Sequence, residues 1–217
     1  MKKLVDFAIN VGKLKGKKRK GWTMINKIKD SETTAEHIFR ATILAWILGK
    51  GKNLNMEKVI KMALVHDLCE VFSKDQTPYD NLISKNMKWR EVREVLKRGS
   101  RNQYAPGQRE KMLHKKFENE MKGLNRLLSE LPSAIKSEMK NLWLEYEKGM
   151  TSEGRFVKQI DKVENLFQAL EYWKKYGKIQ RDSWIIAARE WCIDPFLVEF
   201  LNALDKKFPN SKKVHQS

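Results

Sequence analysis

The feature that most constrains this chain is the period of its apolar residues, which is helical almost everywhere. Between residues 152 and 176, Phe156, Val157, Ile160, Val163, Leu166, Phe167, Leu170 and Trp173 recur at spacings of three and four, so one side of a 3.6-residue helix collects them. A half-buried strand needs alternation at two, and no segment shows it convincingly. Leu4, Phe7, Ala8 and Val11 form a first, shorter stripe that ends between Gly12 and Gly16. Thr33 followed by Glu36 matches a capping box, which opens a second helix, AEHIFRATILAWILG, closing near Gly49 and Gly51. This helix is apolar on most sides after Arg40, which places it in the core. A third helix is predicted to start near Asn55 and to run without interruption through MEKVIKMALVHDLCEVFS. Further helices are predicted for the charged stretch MKWREVREVLKRG and for about 109–130, 133–148, 152–176 and 194–207. Residues 74–86 read as a loop around Pro78, and 99–108, GSRNQYAPGQ, as a mobile loop rich in turn formers. With no repeat and no dividing linker, the reading is one all-α domain over 1–217, its motifs in 33–176, a helical extension over about 177–208 and a tail, 209–217, that frays.

Length and charge narrow the class. A chain of 217 residues suits a single core. Its 44 Lys and Arg against 27 Asp and Glu give a net charge of +17, which favours anionic partners (nucleotide, nucleic acid or anionic lipid) without choosing among them. Six of those charges lie in KLKGKKRK, residues 13–20. Solvated lysine-rich helix faces are the bland account of the same numbers. No stretch approaches the roughly 20 apolar residues of a spanning helix, and the N-terminal segment reads as an amphipathic helix with Asp6 and Asn10 inside it, not as a signal peptide. The two cysteines, Cys69 and Cys192, stand apart from any CxxC pair and read as reduced thiols of a cytoplasmic protein.

Four histidines are present, and two of them sit where the apolar pattern buries them. His66 continues the stripe Val59, Met62, Ala63, which then ends in Glu70. Burying ionisable groups is costly unless a partner compensates. Asp67 follows His66 directly, so an imidazole and a carboxylate can reach one point beside the helix, where a metal ion would accept both. His37, in the first turn of its own helix, could supply a third ligand, and Asp161, at the edge of the stripe around Ile160, a fourth. Two His and two Asp make a nitrogen–oxygen site for borderline or hard divalent ions. A core histidine satisfied by a hydrogen bond is the alternative for each imidazole. His114, on a lysine-rich face, and His215, in the tail, read as solvent residues.

Three segments, TAEHIFRA, LVHDLCEVFSKDQTP and FVKQIDKVENLFQALEYW, strongly resemble the HD phosphohydrolase superfamily, in which the pattern H…HD…D binds the metal. The resemblance covers about residues 1–176 and implies a helical bundle of HD type with His37, His66, Asp67 and Asp161 as ligands. It is narrower still toward the 5′-deoxynucleotidase branch, which shows HDxxE, an Asp five residues later and a Thr-Pro loop: here Glu70, Asp75, Thr77 and Pro78. An Arg-Trp feature ahead of the first His has its counterpart in Arg19 and Trp22. Lys74 departs from the branch, which commonly has Gly there; a turn of positive φ would strain it, or its ammonium could meet a phosphate.

The resemblance implies a divalent-metal-dependent hydrolase that removes phosphate from nucleoside 5′-monophosphates, deoxyribonucleotides above all, and that works as a homodimer. Glu70 would handle the proton of the attacking water or leaving group, and Asp75 would contact the sugar or act as a second acid or base. Arg19 could fork onto phosphate, Trp22 stack on a base or wall the site, and Lys158, three residues before Asp161, reach a phosphate. One ion of Mn²⁺, Co²⁺, Mg²⁺, Fe²⁺ or Zn²⁺ suits the ligand set. Two alternatives stand beside this reading: an HD phosphohydrolase for a cyclic nucleotide, triphosphate or alarmone, and a basic nucleic-acid-binding protein with a residual HD core. Against the second, all four ligand positions and Glu70 hold the right residue types.

Overall fold

The computed structural model describes residues 1–77, 79–84, 86–98, 103–177 and 179–209. In chain order these form α1 (Lys2–Gly12), a 3₁₀ turn (Lys13–Gly16), a π-turn (Gly21–Ile25), α2 (Thr34–Gly49), α3 (Met56–Val65), a second 3₁₀ turn (Leu68–Val71), α4 (Trp89–Arg98), α5 (Gln108–Leu128), α6 (Ser133–Lys148), α7 (Ser152–Tyr176), α8 (Arg181–Trp191) and α9 (Pro195–Lys207). No strand occurs among the described residues, in line with the missing alternation; an isolated bridge joins Lys18 to Thr33. No described helix is long and apolar enough to cross a membrane.

The predicted stripe of 152–176 becomes α7, the axis of a single helical domain, packed on α2, α3, α6, α8 and α9. Its Ile160, Val163, Leu166 and Leu170 are buried in one cluster with Leu44 and Leu48 of α2 and Val59 and Met62 of α3. Ile185 and Ala188 of α8 and Leu197, Leu201 and Leu204 of α9 join the same cluster, so the segment after 176 completes the core. Trp173 and Trp184 pack around Trp22 and Tyr172 in a second cluster. The capping box forms: Glu36 N donates to Thr33 Oγ1 at 3.2 Å, and Thr33 N donates to Glu36 Oε2 at 2.6 Å. Pro78, part of the expected 99–108 loop (99–102) and most of the expected tail (210–217) lie outside the described residues.

Two expectations are corrected. The third helix is not continuous: α3 stops at Val65, His66 caps it, and Asp67 leaves the helical ladder at φ −108°, ψ 10° before the 3₁₀ turn begins. Beyond the break, carbonyls in and just after the 3₁₀ turn are satisfied from outside, because Lys17 Nζ donates to Glu70 O and, at 2.6 Å, to Ser73 O. The second correction concerns α2, which is not fully enclosed. Phe39, Ile43, Trp46 and Ile47 remain on its outer face, 69%, 38%, 56% and 56% exposed.

The break is held by close contact. Gly123 of α5 lies against it so tightly that a Cβ there would stand 2.6 Å from Cys69 O and 3.0 Å from Ser73 N. Only glycine permits that approach of helix to turn.

Candidate metal centre

His37, His66 and Asp161 bring three ligand atoms within 4.8 Å of one another, and Asp67 stands beside the two histidines. His37 comes from the first turn of α2, His66 and Asp67 from the end of α3, and Asp161 from the middle of α7. His37 Nε2 is 3.2 Å from His66 Nε2, 3.3 Å from Asp161 Oδ1 and 3.6 Å from Asp67 Oδ2, and His66 Nε2 is 3.4 Å from Asp67 Oδ2. The histidine side chains are sealed, at 0% and 1% exposure, whereas Asp161 and Asp67 keep 9% and 20%. The imidazoles therefore form the floor and the carboxylates the open side.

Each imidazole has its second nitrogen engaged, which fixes which nitrogen faces the centre. His66 Nδ1 bonds Ala63 O at 2.7 Å, and His37 Nδ1 bonds the Glu164 carboxylate. Asp161 is braced by Asn165 Nδ2 (2.8 Å to Oδ1), Lys162 Nζ (2.7 Å to Oδ2) and Tyr146 OH (3.3 Å to Oδ2). Burial would push the Asp161 carboxyl up, yet Lys162 and His37 hold it well below the usual carboxylate range. The same contest lowers Asp67, where His66, His37 and Arg19 outweigh burial. Burial and Arg19 oppose a charge on His37, but Glu164 and Asp161 raise it to about 10. Positive charge is thus favoured at this point of the cavity, and two nitrogens with two carboxylate oxygens form the donor set of a divalent cation. The residues present fit such an ion.

Glu70, buried in the 3₁₀ turn, accepts from Thr34 Oγ1 at 2.8 Å. Burial, Asp67 and Asp75 together push its carboxyl up to about 8. Asp75 is close enough to act on Glu70 in this way, and it is tied to the N-terminal segment by Lys20 N, which donates to Oδ2 at 2.7 Å. Thr77 Oγ1 donates to Asp80 Oδ1 at 2.6 Å, and Lys20 Nζ bonds the other oxygen of Asp80 at 2.5 Å. Arg19 reaches inward to Asn165 Oδ1 (2.8 Å) and Glu32 Oε1 (3.2 Å); burial opposes its charge, and Asp67, Glu32, Glu164 and Asp161 outweigh burial.

The remaining residues singled out in the sequence are placed as follows. Trp22 is buried, donates from Nε1 to Glu32 Oε1 at 2.9 Å and stacks on Trp184, so its ring is not open to a base. Lys158 Nζ lies 4.7 Å over the ring of Tyr146, on the Asp161 side. Lys74 is exposed and its φ is not positive, so lysine carries no strain there. Glu164, Arg40, Asn165 and Lys162 were not singled out by sequence reasoning. The one signal for Glu164 was a charged residue three positions after Asp161 inside the apolar stripe.

The fold agrees with the comparisons. The HD domain family model matches residues 11–185. The chain belongs to the HD domain family, a family of metal-dependent phosphohydrolases. Among its relatives, the 5′-deoxynucleotidase HDDC2 of Xenopus laevis is 33% identical over 82% of this chain and 75% of that protein. The 5′-deoxynucleotidase HDDC2 of Homo sapiens is 32% identical over 78% of this chain and 68% of that protein. Among solved structures, a conserved hypothetical protein from Pyrococcus furiosus superposes with a TM-score of 0.66 at 26% identity, covering 93% of this chain and 99% of that one. A predicted metal-dependent phosphohydrolase from Magnetospirillum magnetotacticum shares the fold, with a TM-score of 0.62 at 22% identity over 94% and 93% of the two chains.

Proposed function

We propose that this protein hydrolyses nucleoside 5′-monophosphates, deoxyribonucleotides in preference, to nucleoside and phosphate, with one divalent cation held by His37, His66, Asp67 and Asp161. The observation that carries this reading is the convergence of ligand atoms of His37, His66 and Asp161, with Asp67 against both histidines, beside a buried carboxyl, Glu70, that is held ready to exchange a proton. The names of the relatives support the substrate class. A bound divalent ion supplies Lewis acidity, acidifying water and polarising a phosphoryl oxygen.

The chain's own groups do the rest. Glu70, oriented by Thr34, takes a proton from the attacking water or returns one to the leaving oxygen. Asp75, whose charge reaches Glu70, meets the sugar. Arg19 presents charge to the phosphate from within its carboxylate cage, while Trp22 walls the cavity behind it. Lys74 and Thr77 on one loop and Lys158 on α7 contribute contacts at the rim. The ion is one of Mn²⁺, Co²⁺, Mg²⁺, Fe²⁺ or Zn²⁺. Two buried, unpaired cysteines suit a reducing, cytoplasmic setting. The outer stripe of α2 is the surface through which two copies would pair, since a helix apolar on most sides is ordinarily covered on both.

The test is phosphate release from a panel of nucleoside 5′-monophosphates by metal-stripped protein after addition of each ion, with Asp67→Ala alongside. Release that depends on metal, favours deoxy forms and is absent from the variant is expected. A protein that binds metal yet releases no phosphate from any monophosphate would turn the reading to cyclic nucleotide, triphosphate or alarmone substrates.

A further inference from the structure

The two imidazoles at the centre are backed by unlike groups. Behind His66 lies a neutral backbone carbonyl, that of Ala63, at 2.7 Å. Behind His37 lies the carboxylate of Glu164, whose side chain is 0% exposed. That carboxylate is itself gripped: Arg40 donates from Nε to Oε1 at 2.9 Å and places a second nitrogen 2.8 Å from the same oxygen, and Arg19 stands 3.7 Å from Oε2. Arg40 is fixed in turn by Gln168 Oε1 at 2.8 Å and Glu171 Oε2 at 2.7 Å.

From this asymmetry we infer that Glu164 is a positioning residue that sets the strength of the metal centre through His37, an inference that rests on the metal reading above. A carboxylate on Nδ1 fixes the tautomer with its lone pair on Nε2 and makes that nitrogen a stronger donor than a carbonyl-backed imidazole. Glu164 is not itself a ligand of that ion, because it occupies the opposite nitrogen of the ring. Glu32, His37 and Glu164 do bring three ligand atoms together on that opposite side. There, however, the guanidinium groups of Arg19 and Arg40 already supply the positive charge, which leaves no call for a cation. The arginines have a definite task in this arrangement: they pair with a fully buried carboxylate and hold it against His37 Nδ1.

The test is Mn²⁺ titration calorimetry on metal-stripped full-length protein, comparing the unmodified chain with Glu164→Gln and with Glu171→Gln, which touches only the outer end of Arg40. Glu164→Gln is expected to weaken Mn²⁺ binding by about 10- to 100-fold, as loss of a partner behind a metal-bound histidine generally does. Glu171→Gln is expected to leave binding unchanged. A folded Glu164→Gln protein that binds Mn²⁺ as tightly as the unmodified chain overturns the inference alone. An unmodified chain that binds no Mn²⁺ overturns the metal reading and the inference with it. Should Glu164→Gln not fold, nitrogen-15 spectra of the unmodified, Zn²⁺-loaded protein decide: a strongly deshielded proton on His37 Nδ1 supports the inference, and an unprotonated Nδ1 overturns it.

Discussion

Asp67 and Glu70 are three residues apart and are pulled in opposite directions. Histidines and Arg19 hold Asp67 ionised, whereas burial and two neighbouring carboxylates keep a proton on Glu70 up to about pH 8. Such a split separates a group that holds charge from a group that moves protons. Glu70→Gln, close in size to the native side chain, should therefore lower kcat by about 10²- to 10⁴-fold. Mn²⁺ affinity, measured by calorimetry on the same preparation, should stay near that of the unmodified chain. A comparable loss of Mn²⁺ binding would instead make Glu70 part of the ligand set. At this scale the sequence was readable where an ionisable residue broke an apolar stripe, as His66 and Glu70 do. It was not readable where charges cancel across distant helices. Glu164 and Arg40 lie 124 positions apart, and nothing local to either announces the other.

The elements were legible from period and caps, and α7 occupies the very span, Ser152–Tyr176, that its stripe marks out. The end of α3 was not, because His66 and Glu70 keep helical spacing from Met62 even though the backbone between them has changed course. What redirects it is tertiary: Lys17 ties down the carbonyls of Glu70 and Ser73, and α5 presses Gly123 onto the turn. Adding one methyl there should cost about 1–3 kcal/mol, the usual penalty for overfilling a packed contact. Gly123→Ala should therefore melt at a temperature lower by roughly 2–4 °C per kcal/mol for a chain of this size. Because the turn carries Asp67 and Glu70, activity should fall along with stability. A variant that melts lower but retains full activity would show that the centre does not depend on this contact.

Over the whole molecule, the +17 charge was visible in the sequence and its disposition was not. The basic run that invited a nucleic-acid reading is largely turned to internal work: Lys17 and Lys18 bond backbone carbonyls, Arg19 enters the centre, and Lys20 pairs with Asp80. The outer face of α2 is the reverse case, an apolar stripe that the fold leaves bare. Trp46→Glu should shift the size-exclusion mass of the protein from two chains to one; a chain that already elutes as a monomer would remove the proposed pairing. One further consequence lies in where the ligands fall along the chain. His37 and Asp161 are 124 residues apart and meet only when α2, α3 and α7 are assembled. An unfolded chain holds no such pocket, so the ion binds one side of the folding equilibrium and draws the chain toward it. At a free ion concentration 100 times Kd, that linkage is worth about 2.7 kcal/mol. Stripping with a chelator should thus lower the melting temperature by several degrees, and restoring the ion should return it, in a protein carrying no substrate at all. The cation would then hold the bundle closed as well as serve its chemistry, and the supply of metal would govern how much folded protein a cell retains.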